Sequence, residues 1–119
     1  MKLIKVFTQT ILGLAFTLTA LAALAADYPA PTEGSWVVRD FRFHTGAVLP
    51  ELRLHYRTVG APTGEPVLIL HGTTGSSAGM LTPAFAGELF GPGQPLDASR
   101  YYIILPDSIG TGKSSKPSD

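Results

Sequence analysis

YYIILPDSIGTGKSS, Tyr101 to Ser115, runs from an apolar stretch into a glycine-rich turn, and the chemistry of that turn decides the fold. Its Gly112-Lys113-Ser114 matches the tail of a phosphate-binding loop. Such a loop needs a glycine five residues before its Gly-Lys-Ser glycine, so that the backbone can curl around the phosphate. Asp107 stands there instead. Its carboxylate would repel the anion and its β-carbon would obstruct the curl. A phosphate loop also opens a helix whose N-terminus faces the anion, whereas Pro117 disfavours the α region for Lys116. The nucleotide reading is therefore disfavoured and Lys113 is expected in solvent. The stretch becomes an apolar strand followed by a structural turn of Asp107, Gly110, Gly112 and Ser114, in the pattern D-x-x-G-x-G-x-S.

Upstream, VLILHGTTGSS (Val67–Ser77) is a second apolar run, leading into His71-Gly72. Both runs read as strands buried on both faces of a parallel sheet. Between them, Pro83 to Phe90 has a weak helical pattern, and GPGQPLDASR (Gly91–Arg100) reads as a connection. Before them, Trp36 to Gly46 suggests a strand exposed on one face. In LRLHYRTVG, Leu52, Leu54, Tyr56 and Thr58 alternate with Arg53, His55, Arg57 and Val59, as in a half-buried strand. A turn near Gly46 to Pro50 would pair these two as a hairpin.

The chain has 119 residues, room for one small domain. Nine basic residues balance nine acidic ones, which gives no nucleic-acid signature. The absence of cysteine removes disulfides and thiolate chemistry. Lys2 and Lys5, an uncharged apolar middle and Ala23-Leu24-Ala25 describe a secretory signal peptide over residues 1–25, cleaved before Ala26, with the Ala26/Asp27 bond the close alternative. The same stretch as an uncleaved anchor is the weaker reading, because of its threonines and small-residue end. The expected layout is a signal peptide (1–25), a linker (26–35) and a domain (36–119). The mature chain is expected to be periplasmic or secreted, with no membrane attachment after cleavage.

The paired signatures, strand–His71-Gly72 and strand–Asp107-x-x-Gly-x-Gly-x-Ser114, resemble those of the α/β-hydrolase superfamily. LRLHYRTVGAP before them, and Gly91-Pro-Gly-x-x-Leu-Asp-x-x-Arg-Tyr101 between them, look like the homoserine O-acetyltransferase-like branch, over roughly Phe41 to Asp119. The resemblance implies an α/β fold, here its N-terminal portion: two antiparallel strands, then the start of a parallel sheet, incomplete. It also implies a serine esterase, hydrolase or O-acyltransferase acting through an acyl-enzyme on a small acyl or ester substrate, without cofactor.

One oxyanion donor in such enzymes comes from the loop after this strand. The candidates are His71, Gly72, Thr73 and Thr74, with the Thr73 N–H first and the Thr74 N–H second. In the family the His of His-Gly supports the loop, and the nucleophile, acid and base lie downstream. The triad is thus expected beyond Asp119, and this chain alone is expected to be inactive. Gly75-Ser76-Ser77-Ala78-Gly79 matches the elbow pattern G-x-S-x-G, but Ser77 follows the strand end by seven residues and not directly, as an elbow requires. His44 and His55 are expected to be surface or satisfied structural residues, and no spacing supports a metal. The alternative is a non-catalytic secreted binding module. The isolated chain, with open strand edges and apolar faces, is expected to be aggregation-prone or partly ordered.

Overall fold

A computed structural model of the chain describes residues 27–119, and the expected signal peptide lies outside the described residues. β1 (Thr32–Arg42) and β2 (Val48–Val59) form a long antiparallel hairpin, in register from Thr32 opposite Thr58 to Arg42 opposite Val48. The Phe43 N–H donates to the Ala47 carbonyl and the Gly46 N–H to that of Phe43, both at 2.9 Å, closing the connection. Only Asp40 and Pro50 drop out of the pairing. Proline has no N–H to give the ladder, and Asp40 opposite it takes a positive φ of 53°.

β1 begins inside the stretch expected to be linker. Thr32 to Ser35 are held by cross-strand partners: Thr32 Oγ1 lies 2.7 Å from Thr58 Oγ1, and Glu33 meets Arg57. The glycine that suggested a linker has a packing reason, because a β-carbon at Gly34 would stand 2.6 Å from the Tyr56 ring.

β3 (Glu65–Leu68) and β4 (Tyr101–Pro106) run parallel, and β4 pairs antiparallel with β2. The result is a mixed four-stranded sheet in the order β1-β2-β4-β3. The crossover between β3 and β4 packs on one face. It carries less helix than expected: a 3₁₀ turn (Ser77–Leu81) and one short helix, α1 (Ala86–Leu89). Gly91 and Pro92 follow α1 closely, leaving it a single turn. Asp97 orders the connection that comes next. Its Oδ2 accepts the Gly93 N–H at 2.7 Å and its Oδ1 the Ser99 N–H at 2.8 Å. These donors, Gly93 first, lower its pKa.

The core is small. Val59, Ile103 and Leu105 of the sheet meet Ala86, Phe90 and Ala98 of the crossover, all buried. Tyr28 and Phe85 meet Phe90 edge-on, at ring centroids 5.6 and 6.2 Å away. The run VLIL departs from its expected burial on both faces. Ile69 packs against the core, but Leu68 and Leu70 are 61% and 66% exposed. β3 is an edge strand, and no described element covers its second face. Among the described residues no helix is long and apolar enough to cross a membrane.

Phe90 fills the centre of this core, so Phe90→Ala is expected to cost about 3–5 kcal/mol. Urea unfolding followed by tryptophan fluorescence measures that loss as a lower transition midpoint.

Candidate active-site loop and the turn that holds it

Residues 71–77 leave β3 as a loop tied at both ends and open in the middle. The Gly75 N–H donates to the Gly72 carbonyl at 3.0 Å, closing a turn over Thr73 and Thr74. Thr74 takes a φ of +63°. A positive φ at the third position of the turn marks type II. A β-branched residue is unfavourable there, and strain of this kind costs on the order of 1–3 kcal/mol. Gly72, Thr73 and Thr74 are exposed. Neither threonine N–H donates to an acceptor among the described residues.

His71 ties the first end of the loop. Its Nδ1 donates to the Gly72 carbonyl at 2.8 Å, and its Nε2 accepts the Ser108 N–H at 3.1 Å. These partners assign the ring proton to Nδ1. Thr111 Oγ1 donates to the Ser108 carbonyl at 2.9 Å and lies 3.2 Å from the same Nε2. His71 thus bridges the loops after β3 and β4, and neither nitrogen faces an open site.

Ser77 ties the other end, through Asp107. The Asp107 carboxylate accepts the Ser77 N–H on Oδ1 at 2.6 Å and the Lys113 N–H on Oδ2 at 2.9 Å, with the His55 ring 2.8 Å from Oδ2. Its backbone N–H donates to the His55 carbonyl at 2.8 Å, and its own carbonyl accepts from Ser114 Oγ at 2.7 Å. Ser114, fully buried, also takes the His55 N–H on its hydroxyl at 2.9 Å. Each marked position of D-x-x-G-x-G-x-S now has a cause. Gly110 turns at φ +88° and Gly112 at +53°, and a β-carbon at Gly112 would collide with the Asp107 carboxylate. The tail of the turn is then laced to β2, with Arg53 N–H on Ser115 Oγ and Ser115 N–H on the Arg53 carbonyl, both at 2.9 Å.

Around Asp107 lies a polar cluster. Glu33 Oε1 accepts from Arg57 Nη2 at 2.7 Å and Nε at 3.0 Å, while its Oε2 meets Lys113 Nζ at 2.6 Å and His55 Nε2 at 3.1 Å. Lys113, expected in solvent, is exposed but ion-paired. Bonds from Lys113 first, then His55 and Arg57, pull the Glu33 pKa down to about 2 from 4.5. Burial pushes the Asp107 carboxyl up, but the N–H groups of Lys113 and Ser77, the Ser77 hydroxyl and His55 outweigh it. They hold it well below the usual carboxylate range.

Ser77, His55 and Asp107 are the three residue types of a catalytic triad, and they meet in this cluster. They do not form one. Both His55 nitrogens face carboxylates, and Ser77, fully buried, takes Arg57 Nη1 on its hydroxyl at 2.6 Å. A triad needs the imidazole between nucleophile and acid. His44 is exposed. Among the described residues no cluster of His, Cys, Asp and Glu could hold a metal ion.

Sequence reading did not single out Glu33 or Arg57. Charged residues alternating along LRLHYRTV read as a solvent face, yet Ser77 and the turn after β4 cover that face at His55. The recoverable signal was the period-2 spacing that puts Arg53, His55 and Arg57 on one side of β2.

Glu33 sets an acid limit. Its folded pKa lies below its ordinary value, so its contribution is present above about pH 4.5 and lost as pH falls toward about 2. Stability measured by urea unfolding should therefore decline across that window, and Glu33→Gln should flatten the decline.

No family model matches the chain. The homoserine O-acetyltransferase of Thermobifida fusca is 31% identical over 119 aligned residues, which take in 76% of this chain and 31% of that enzyme. Among solved structures, homoserine O-acetyltransferase from Staphylococcus aureus superposes with a TM-score of 0.62 at 24% identity, over 75% of this chain and 28% of that one. Esterase E22 superposes with a TM-score of 0.58 at 21% identity, over 69% and 25%. The chain thus spans under a third of the length of these relatives.

Proposed function

The chain is an α/β-hydrolase relative, akin to the homoserine O-acetyltransferases over part of its length, and from that premise we propose that it supplies the oxyanion loop of a serine esterase, hydrolase or O-acyltransferase. The reaction proceeds through an acyl-enzyme on a small acyl or ester substrate and needs no cofactor. One observation carries the reading: the loop at 71–77 is anchored at both ends while the Thr73 and Thr74 N–H groups meet no acceptor among the described residues. Acyl transfer builds negative charge on a carbonyl oxygen, and N–H donors fixed in place stabilise it by a few kcal/mol each. The Thr73 N–H is the first donor and the Thr74 N–H the second. Strain at Thr74 fits a loop shaped for binding. Nucleophile, acid and base come from outside this sequence. The role of residues 71–77 is to present donors, and that of Asp107 to Ser114 is to hold them.

Thr73 occupies the second position of its turn, where proline is well accepted, so Thr73→Pro deletes the N–H while keeping the backbone path. A chimera carrying residues 32–119 in place of the matching part of the Thermobifida fusca enzyme is expected to hydrolyse p-nitrophenyl acetate. Thr73→Pro should then lower kcat by about 10²–10³. The chain alone should act no faster than its Ser77→Ala variant; Ser77-dependent hydrolysis by the chain alone overturns the assignment.

Residues 1–25 act in this proposal as a signal peptide that delivers the protein to the periplasm or beyond. Mass spectrometry of the protein exported from a Gram-negative host should find Ala26 at its N-terminus. Retention of Met1 in the cell would sink the export reading.

A further inference from the structure

We propose that His55 is a pH-operated clasp, doubly protonated when closed, that joins β1, β2 and the turn after β4 and governs how firmly the Ser77 end of the loop is held. The inference rests on the geometry of the cluster and not on the acyl-transfer reading.

His55 Nδ1 lies 2.8 Å from Asp107 Oδ2 and Nε2 lies 3.1 Å from Glu33 Oε2. The His55 residue is 4% exposed and Asp107 1%. An ionised carboxylate accepts hydrogen bonds and donates none. Both bonds therefore form together only when both ring nitrogens carry protons. Backbone N–H groups of Ser77 and Lys113 keep Asp107 ionised, and Lys113 Nζ with Arg57 does the same for Glu33.

The other cations near the ring are committed elsewhere. Arg57 gives Nε and Nη2 to Glu33 Oε1 and Nη1 to Ser77 Oγ, while Lys113 Nζ goes to Glu33 Oε2. Arg53, on the same strand, points to the Lys113 carbonyl and to Asp119. A doubly protonated His55 ring is thus the one cationic partner open to Asp107 among the described residues. A buried carboxylate stripped of its cation is costly.

Losing a ring proton breaks one charge-assisted bond. Asp107 Oδ1 holds the Ser77 N–H and Oδ2 the Lys113 N–H, so a loosened Asp107 is felt at both. The closed clasp needs a proton on each ring nitrogen, so it opens when rising pH removes one. On the acid side Glu33 gives way only toward about pH 2.

The test titrates the intact chain, with ¹⁵N-labelled histidine, from about pH 5.5 to about pH 8.5. The His55 ring should show both nitrogens protonated at the acid end and one at the alkaline end. Hydrogen exchange at the Ser77 and Lys113 amides, corrected for intrinsic rates, should quicken by roughly tenfold over the same range. His55→Gln should remove the pH dependence, and His44→Gln should leave it intact. A ring with a single protonated nitrogen throughout overturns the proposal. So does exchange that ignores pH, or that keeps its dependence in His55→Gln. Absence of protection at both amides at every pH overturns the clasp itself.

Discussion

A carboxylate with 1% of its surface exposed must be supplied with donors, and the rest of this structure depends on how Asp107 is supplied. Its donors come from three places far apart in sequence: His55 on β2, Ser77 where the crossover begins, and Lys113 in the turn that Asp107 itself opens. Bringing them together fixes the path of the turn, seats the 3₁₀ segment on the sheet and ends the loop after β3. Gly112 follows from the same constraint, since any side chain there would enter the space of the carboxylate. The residue that speaks against a phosphate loop is the one around which this end of the fold is organised.

The exposed loop and its supports divide the work as loops and scaffolds usually do. Thr73 and Thr74 gain little from packing; their positions are set by hydrogen bonds at His71 and Ser77, on either side. His71 reaches Ser108 and Ser77 reaches Asp107, so two adjacent residues after β4 hold both ends of one loop. A displacement of that turn would move the loop as a unit.

On the other side, the sheet is only partly covered. Parallel strands are ordinarily covered on both faces, but here the crossover covers one. Leu68, Leu70 and Trp36 stay exposed, at or just beyond the edge strands. This explains the mixed success of reading burial from apolar runs. β4, a central strand, buries Ile103 and Leu105, whereas the equally apolar run at β3 is open because its place in the sheet is an edge. Periodicity carries the identity of a strand but not the identity of its neighbours.

Local chemistry in the sequence was enough to determine the hairpin, the strand–turn character of Tyr101 to Ser114, the misfit of that turn to a phosphate loop and the likeness to the α/β hydrolases. Each depends on residues close together, whose backbone preferences and alternation act directly on the chain nearby. Tertiary structure decided that Thr32 to Ser35 are strand, that Lys113 is paired, and that Ser77 is a buried support. It also decided that His55 stands between two carboxylates. Those outcomes hang on contacts such as Glu33 with Lys113, which are 80 residues apart. Desolvation and pairing of buried charge are properties of such meetings in space, and alternation along one strand carries no record of them.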